Sequence, residues 1–462
     1  MLIEFRFSNF LSYEEMTTFS MVAGKERTNS KTLASIPKFR LKLLPVAAIY
    51  GANASGKSNL INALDFLKTL VTTSKLKGKI SLQNFYFSED KNPISKFEIS
   101  ILLNEQIYEF KIACNEDEIL YEELIERNSR SEKTLYLRNK DTVQINPNIN
   151  SFEAIQCIAD RSLDRPCPLL TTLSSKKFKP FEEVFRWFSE ELKVIHQDSF
   201  LIPYDLDVGK EDSRNALLSE VLRSTDTGIS ALVSTPVSGP SLRLSPSERN
   251  ELLSTVCCHG SQLMREANGG RVLAYYKDGD LTFSRLSAAH EISGKEYLIP
   301  LEEESTGIRK IIDLSSGIVD LLLSKKNCVY VIDGIDHGLH TEINYWLVKR
   351  LLENVSSDAQ KQLVFTSHDT NLLRRVGLRR DEIWFVERRY NSASHLVNAV
   401  EFEGLRNDSS LQKLYEEGRF GGCPKLADSV KPPFFGNVII HTSPSISEEK
   451  SQRNVFDRRG TK

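Results

Sequence analysis

The stretch Ile49-Tyr50-Gly51-Ala52-Asn53-Ala54-Ser55-Gly56-Lys57-Ser58 fits the phosphate-binding pattern GxxxxGK[ST] at every fixed position. Just before it, Pro45-Val46-Ala47-Ala48-Ile49-Tyr50 is a continuous apolar run, as expected of a strand buried on both faces. Just after it, Leu60, Leu64, Leu67 and Val71 recur at three- and four-residue spacing, with Ile61 and Ala63 widening the stripe. That spacing predicts a helix beginning near Lys57. The order strand, loop, helix is what the chemistry requires. Backbone N–H groups and the positive end of the helix converge on phosphate oxygens, and glycine at 51 and 56 lets the backbone turn and approach closely. Lys57 then reaches the β- and γ-phosphates, and the Ser58 hydroxyl is placed to bind Mg²⁺. The candidate nucleotide-binding residues are Gly51, Asn53, Ser55, Gly56, Lys57 and Ser58. A chance match in a Gly/Ser turn is the competing reading, and the flanking strand and helix weigh against it.

Working outward, two downstream segments fit the same site. Val329-Tyr330-Val331-Ile332-Asp333 is an apolar strand ending in an aspartate, the Walker B pattern for holding Mg²⁺ from a strand's C-terminal end. Ahead of it, Glu304-Ser305-Thr306-Gly307-Ile308-Arg309-Lys310 places a hydroxyl residue and a glycine in front of the apolar-periodic segment Ile311 to Leu323. That is a helix N-terminus with a polar entrance, suited to an anion. Ser305 as an ordinary N-cap is the simpler alternative. At the N-terminus, Ile3, Phe5 and Phe7 alternate with Glu4 and Arg6, the period-two pattern of a half-buried strand.

Composition bounds the rest. The chain has 462 residues, 40% hydrophobic and 26% charged, which describes an ordinary globular protein with room for two or three domains. Its net charge of −2 announces no strongly basic nucleic-acid domain. The seven cysteines are scattered, odd in number and without CxxC pairs, so they read as reduced thiols and not as a zinc site. The start Leu2-Ile3-Glu4-Phe5-Arg6-Phe7 is too charged for a signal peptide, and no apolar run reaches the ~18 residues of a membrane span. A cytoplasmic protein with no membrane partner is expected.

Between about 80 and 140, alternation at Phe97, Ile99, Ile101 and then Tyr108, Phe110, Ile112 predicts antiparallel strands in a β-rich lobe. From 181 to 300, helical spacing in Phe181 to Val194 and Leu217 to Leu222, with a Ser/Pro-rich break from Ser234 to Ser247, predicts an inserted, mainly helical subdomain. No heptad run suggests a coiled-coil arm. The expected organisation is an N-terminal part of the head at 1–180, the insertion at 181–300, a C-terminal part of the head at 301–430 and a flexible, Ser- and charge-rich tail at 431–462.

Walker A, a serine-glycine signature after a long insertion, Walker B with Asp336-His337-Gly338-Leu339-His340 behind it, and then Thr366-Ser367-His368 follow the order of ABC-type ATPases. The phrases Leu363-Val364-Phe365-Thr366-Ser367-His368-Asp369, Arg380-Asp381-Glu382-Ile383-Trp384-Phe385-Val386-Glu387 and Leu414-Tyr415-Glu416-Glu417-Gly418-Arg419-Phe420-Gly421-Gly422-Cys423-Pro424 add detail. With these, the chain resembles the AAA-type, ABC-like ATPases of prokaryotic anti-phage and abortive-infection systems, over residues 1 to about 112 and 300 to 424. The resemblance implies an α/β fold: an ABC-type P-loop ATPase head with a β-rich lobe and an insertion. It implies ATP and Mg²⁺ as ligands, with Ser58 and Asp333 on the metal. It also implies a head-to-head dimer in which Ser305 and Gly307 of one subunit touch the γ-phosphate held by the other, while His368 contacts it in cis. His337 and His340 read as structural.

One departure bears on catalysis. The family usually carries a glutamate directly after the Walker B aspartate to orient the attacking water, and this chain has Gly334 there. Asp336 is the nearest carboxylate that could stand in, although relatives often carry an aspartate at that place as well. The candidate catalytic set is Lys57, Asp333, His368 and Asp336, with slow or conditional hydrolysis expected. The function implied is an ATP-dependent sensor or scaffold in defence, controlling a separate effector such as a TOPRIM-type nuclease and answering a phage-derived trigger. The alternative is a RecF-like repair ATPase that clamps DNA on binding ATP. A transporter subunit fits less well, given the long insertion and the β-rich segment.

Overall fold

The strand that feeds the phosphate loop, Val46–Gly51, has six consecutive buried residues because it is covered on both faces and paired on both edges. It runs parallel to Lys361–Thr366 on one side and to Ile383–Arg388 on the other. Beyond Lys361–Thr366 come Cys328–Ile332 and then Leu192–Ile195, both parallel, while Ser394–Asn398 closes the opposite edge antiparallel. In this six-stranded sheet the phosphate loop, Asp333 and Ser367 all leave from C-terminal strand ends on one edge, where ligands of α/β sheets bind.

Successive side chains of a strand point to opposite faces, so the sheet divides the interior into two cores. Ala47, Ile49, Val329 and Val331 join one, against Leu60, Leu64 and Leu67 of the helix Lys57–Thr72. Val46, Ala48, Tyr50, Tyr330 and Ile332 join the other, against Ile311, Leu314 and Ile318 of the helix Thr306–Leu323. Both helices fall where the apolar spacing put them. The first core continues into a seven-stranded antiparallel sheet, in which the N-terminal strand Leu2–Ser8 pairs with Thr17–Ser20 and Ser95–Leu103, and four further strands follow to Thr142–Ile145. This is the expected β-rich lobe.

The 181–300 segment departs from expectation: it is not mainly helical. Its centre is an antiparallel sheet of Ile229–Val237, Ser261–Arg265, Arg271–Lys277, Asp280–Ile292 and Lys295–Pro300, flanked by the helices Ser213–Ser224 and Pro246–His259. The Ser/Pro-rich stretch that reads as a break contains the end of a strand. Among the described residues Ile229–Val237 pairs with Asp280–Ile292 alone, and an edge strand tolerates Pro236 because its missing N–H breaks no inner ladder. Nor does the helix starting at Phe181 reach Val194. It ends at Arg186, passes through a π-helical turn at Trp187–Glu191 and becomes the strand Leu192–Ile195. That strand completes the central sheet, so the head extends past residue 180. Pairing with Val329–Ile332 overrides the local helical spacing.

This computed structural model describes residues 1–421 apart from 27–28, 74–78, 89, 91, 162–165, 198–212, 243, 260, 267–269, 278, 324–326, 355–359, 390 and 403–409. The described residues belong to one compact unit, and the expected tail at 431–462 lies outside them. Among the described residues no helix is long and apolar enough to cross a membrane, and no disulfide links Cys114, Cys157, Cys167, Cys257 and Cys328.

Candidate nucleotide site

The phosphate loop is held from two sides. Gly56 has φ +116°, open to glycine at little cost, and a Cβ there would meet Ser394 Oγ at 2.1 Å. Ser394 Oγ also lies 2.7 Å from Ser12 Oγ and 2.5 Å from the Ser55 carbonyl. Asn59 Nδ2 donates to Ser12 Oγ (2.8 Å), and the Tyr13 hydroxyl donates to the Gly56 carbonyl (3.1 Å). The N-terminal hairpin tip and the C-terminal edge strand therefore clamp the loop.

Above the loop is a cleft of about 460 Å³, within the ~300–1,000 Å³ usual for small-molecule sites. Asn53, Gly56, Lys57, Ser58, Asp333 and His368 of the predicted set line it. Gly51 and Ser55 do not: both are buried beneath the loop, where a Cβ on Gly51 would meet Val386 O at 2.5 Å and Ser55 Oγ at 2.6 Å. Lys57 is 6% exposed and donates to the Gly51 (2.8 Å) and Ala52 (3.0 Å) carbonyls. Burial lowers its pKa to about 8, against the opposing pull of Asp333 and Asp336. His368 is also pushed down, by burial and then by Lys57, which favours the neutral imidazole at pH 7.

Asp333 is buried, and its Oδ1 accepts a hydrogen bond from Thr366 Oγ1 (2.6 Å). The same hydroxyl accepts from the Gly334 N–H (2.6 Å), so Thr366 fixes both residues at the end of the Walker B strand. Ser58 hydroxyl and Asp333 carboxylate supply hard oxygen donors on one cleft, a set suited to Mg²⁺, which keeps phosphate and water oxygens as its other ligands. Asp336 is not among the lining residues. Its Oδ2 accepts from the His368 N–H (2.9 Å), and its buried Oδ1 has no hydrogen-bond partner among the described residues. It stands behind His368. His340 Nδ1 accepts from the Glu342 N–H (3.2 Å) at the start of the Thr341–Asn354 helix, a structural role.

Ser305 and Gly307 do not line the cleft either. Ser305 is exposed, and its Oγ accepts from the Ile308 N–H (3.1 Å), so it caps the Thr306–Leu323 helix; a Cβ on Gly307 would lie 3.2 Å from Gly338 O. Further along that helix, Lys310 Nζ donates to the Gln197 carbonyl (3.0 Å).

Gln197, Ser12, Asn59 and Arg388 line the cleft with no sequence motif pointing to them, and Thr366, quoted only as part of the phrase ending in His368, lines it too. Gln197 lies two residues after the strand Leu192–Ile195, whose sequence reads as the end of a helical segment, so no local signal marks it. Ser12 and Arg388 carry no motif; tertiary pairing alone brings them to the loop. Gly334 has φ +67°, and a Cβ there would meet Gln197 Nε2, Cγ and Cδ at 3.1–3.3 Å. The position directly after Asp333 is thus backed by a glutamine side chain.

No curated protein matches the chain. A family model described as "AAA domain, putative AbiEii toxin, Type IV TA system" matches residues 46–374, from the phosphate-loop strand to beyond His368. With most of its length matched and Lys57, Asp333 and His368 on one cleft, the chain belongs to this family of AAA-type, ABC-like P-loop ATPases of the abortive-infection type.

Proposed function

We propose that the chain binds ATP with Mg²⁺, closes as a head-to-head dimer, hydrolyses ATP slowly and uses that cycle as a sensor or scaffold in anti-phage defence. One observation supports this above the others. Lys57, Asp333 and His368 share a cleft, while the signature residues Ser305 and Gly307 sit on an exposed helix start outside it. A second copy presenting its own Ser305 and Gly307 would complete the site. Ser58 and Asp333 would hold Mg²⁺, which neutralises phosphate charge when bound. Lys57 would neutralise the β- and γ-phosphates, neutral His368 would donate to the γ-phosphate, and Asp336 would hold the His368 backbone. With Gly334 in place of a carboxylate, no side chain at that position activates water, so turnover is slow.

The effector would be a separate protein, such as a TOPRIM-type nuclease held until a phage-derived trigger arrives; the PARIS-type systems, with an ATPase subunit and such a nuclease, are one arrangement of this kind. The protein would work in the cytoplasm. Sedimentation of the wild type, Lys57→Ala and Ser305→Arg with and without ATP and Mg²⁺ tests the core of the proposal. ATP-dependent dimerisation of the wild type, lost in both variants and restored on mixing them, is expected. A chain that turns ATP over rapidly while staying monomeric would overturn it, and ATP-dependent DNA binding that falls steeply with salt would favour the RecF-like clamp instead.

A further inference from the structure

The cleft has a second end that the Walker A and Walker B motifs and His368 leave without a role. In the central sheet, Asp333 and His368 follow strands on one side of Val46–Gly51, whereas Arg388 ends the strand on its other side. At about 4.8 Å per strand, the Arg388 strand lies roughly 14 Å across the sheet from the Asp333 strand. Val386 is paired with Gly51, so Arg388 extends two residues beyond the start of the loop. Arg388 is exposed, its Nε donates to the Ser392 carbonyl (3.1 Å), which orients the guanidinium, and among the described residues it has no carboxylate partner. Arg388 shares this end with Ser12 and Asn59, which are hydrogen-bonded to each other.

A triphosphate whose γ end lies at Asp333 and His368 runs along the loop toward Arg388. We infer that Arg388 is a nucleotide-binding residue that grips the α-phosphate through its η nitrogens. The inference rests on the ATP-binding reading. A guanidinium held by its Nε, and with no other partner among the described residues, offers two parallel N–H donors, the fork that fits two oxygens of one phosphate. Because ATP and ADP share the α-phosphate, the contact would serve both nucleotides equally and would act as a tether that survives hydrolysis.

The test is the affinity of the full-length chain for fluorescent ATP and ADP and for inorganic tripolyphosphate, each with Mg²⁺, in the wild type, Arg388→Ala, Arg388→Lys and Lys57→Ala. Arg388→Ala is expected to weaken all three ligands by a similar factor, about 10- to 100-fold, with Arg388→Lys in between. Loss confined to ATP and tripolyphosphate would place the contact on the γ-phosphate. Loss for the nucleotides with tripolyphosphate unaffected would place it on the base or ribose. Either result, or no loss at all, overturns the inference. If Lys57→Ala also leaves binding intact, the ATP-binding reading itself fails; if only Arg388→Ala is neutral, that reading stands and the tether falls.

Discussion

The Gln197 side chain packs against Gly334, so closely that a Cβ added to the glycine would lie 3.1 Å from Nε2. Gly334 also has φ +67°, a conformation that costs an L-residue about 1–2 kcal/mol. Gly334→Ala is therefore expected to lower unfolding stability by about 1–2 kcal/mol in a urea titration. Adding Gln197→Ala should relieve only the side-chain contact and leave most of that loss. Gly334→Glu carries the same backbone strain and is expected to destabilise the site without making turnover fast. A neutral Gly334→Ala would show that this strain is absent.

Thr366 governs the Walker B end, since it donates to Asp333 Oδ1 and accepts from Gly334 N–H. Thr366→Val removes both bonds with little change of shape, leaving a buried carboxylate oxygen and a buried N–H unpartnered. The expected outcome is a Mg²⁺ affinity about 10- to 100-fold weaker in nucleotide binding, by analogy with the loss of other groups that orient metal ligands, with a stability loss of about 1–3 kcal/mol. Thr366→Ser should recover most of both. Magnesium titration of fluorescent-ATP binding reads the first effect.

Arg271, on the insertion sheet, makes a buried bidentate pair with Asp313 of the helix Thr306–Leu323, at 2.5 and 2.8 Å. His290 lies 2.6 Å from Glu304 just ahead of Ser305, so the insertion grips both the entrance and the body of that helix. Arg271→Met leaves Asp313 buried without its cation and is expected to cost about 3–5 kcal/mol. The double variant Arg271→Met with Asp313→Leu should regain most of the loss, because both buried charges are gone. Equilibrium unfolding of the single and double variants separates the pair from mere packing.

The Lys57 ammonium is buried, and its pKa falls from the ordinary 10.5 to about 8. Between those two values the unfolded chain keeps a proton that the folded chain has released, so this group makes stability rise with pH across the window. Nucleotide affinity runs the other way, because phosphate attracts the charged form: ATP binding should weaken as pH climbs above about 8. Lys57→Met is expected to flatten both trends, which calorimetric binding and denaturant titrations at pH 7 to 10 would reveal.

Much of the head is legible in the residues alone. The buried run Val46 to Tyr50, the loop to Ser58, the stripe from Leu60 to Val71 and the strand ending at Asp333 each carry a local signature, because phosphate binding demands a fixed order of strand, turn and helix. The alternation in Phe97 to Ile101 and Tyr108 to Ile112 likewise declares antiparallel strands, since one face of each must be buried. Local pattern fails where pairing decides. The strand Leu192–Ile195 exists because the edge beside Cys328–Ile332 needs a partner, and the insertion's edge strand admits Pro236 because no described residue pairs with its other side.

The site divides along the same line. The sequence by itself determined the candidates: the loop, its lysine and serine and the strand-ending aspartate, since those residue types at those spacings suit phosphate and magnesium chemistry, while the family resemblance added the histidine after the next strand. Only the tertiary structure decided that Gln197 backs Gly334, that Thr366 orients Asp333, that Asp336 stands behind His368 instead of lining the cleft, and that Ser12 and Arg388 close its far end. These contacts join residues as distant in the chain as Ser12 and Ser394, and no local periodicity encodes them. They are set by which strand lies beside which, a choice made by the burial of both sheet faces at once.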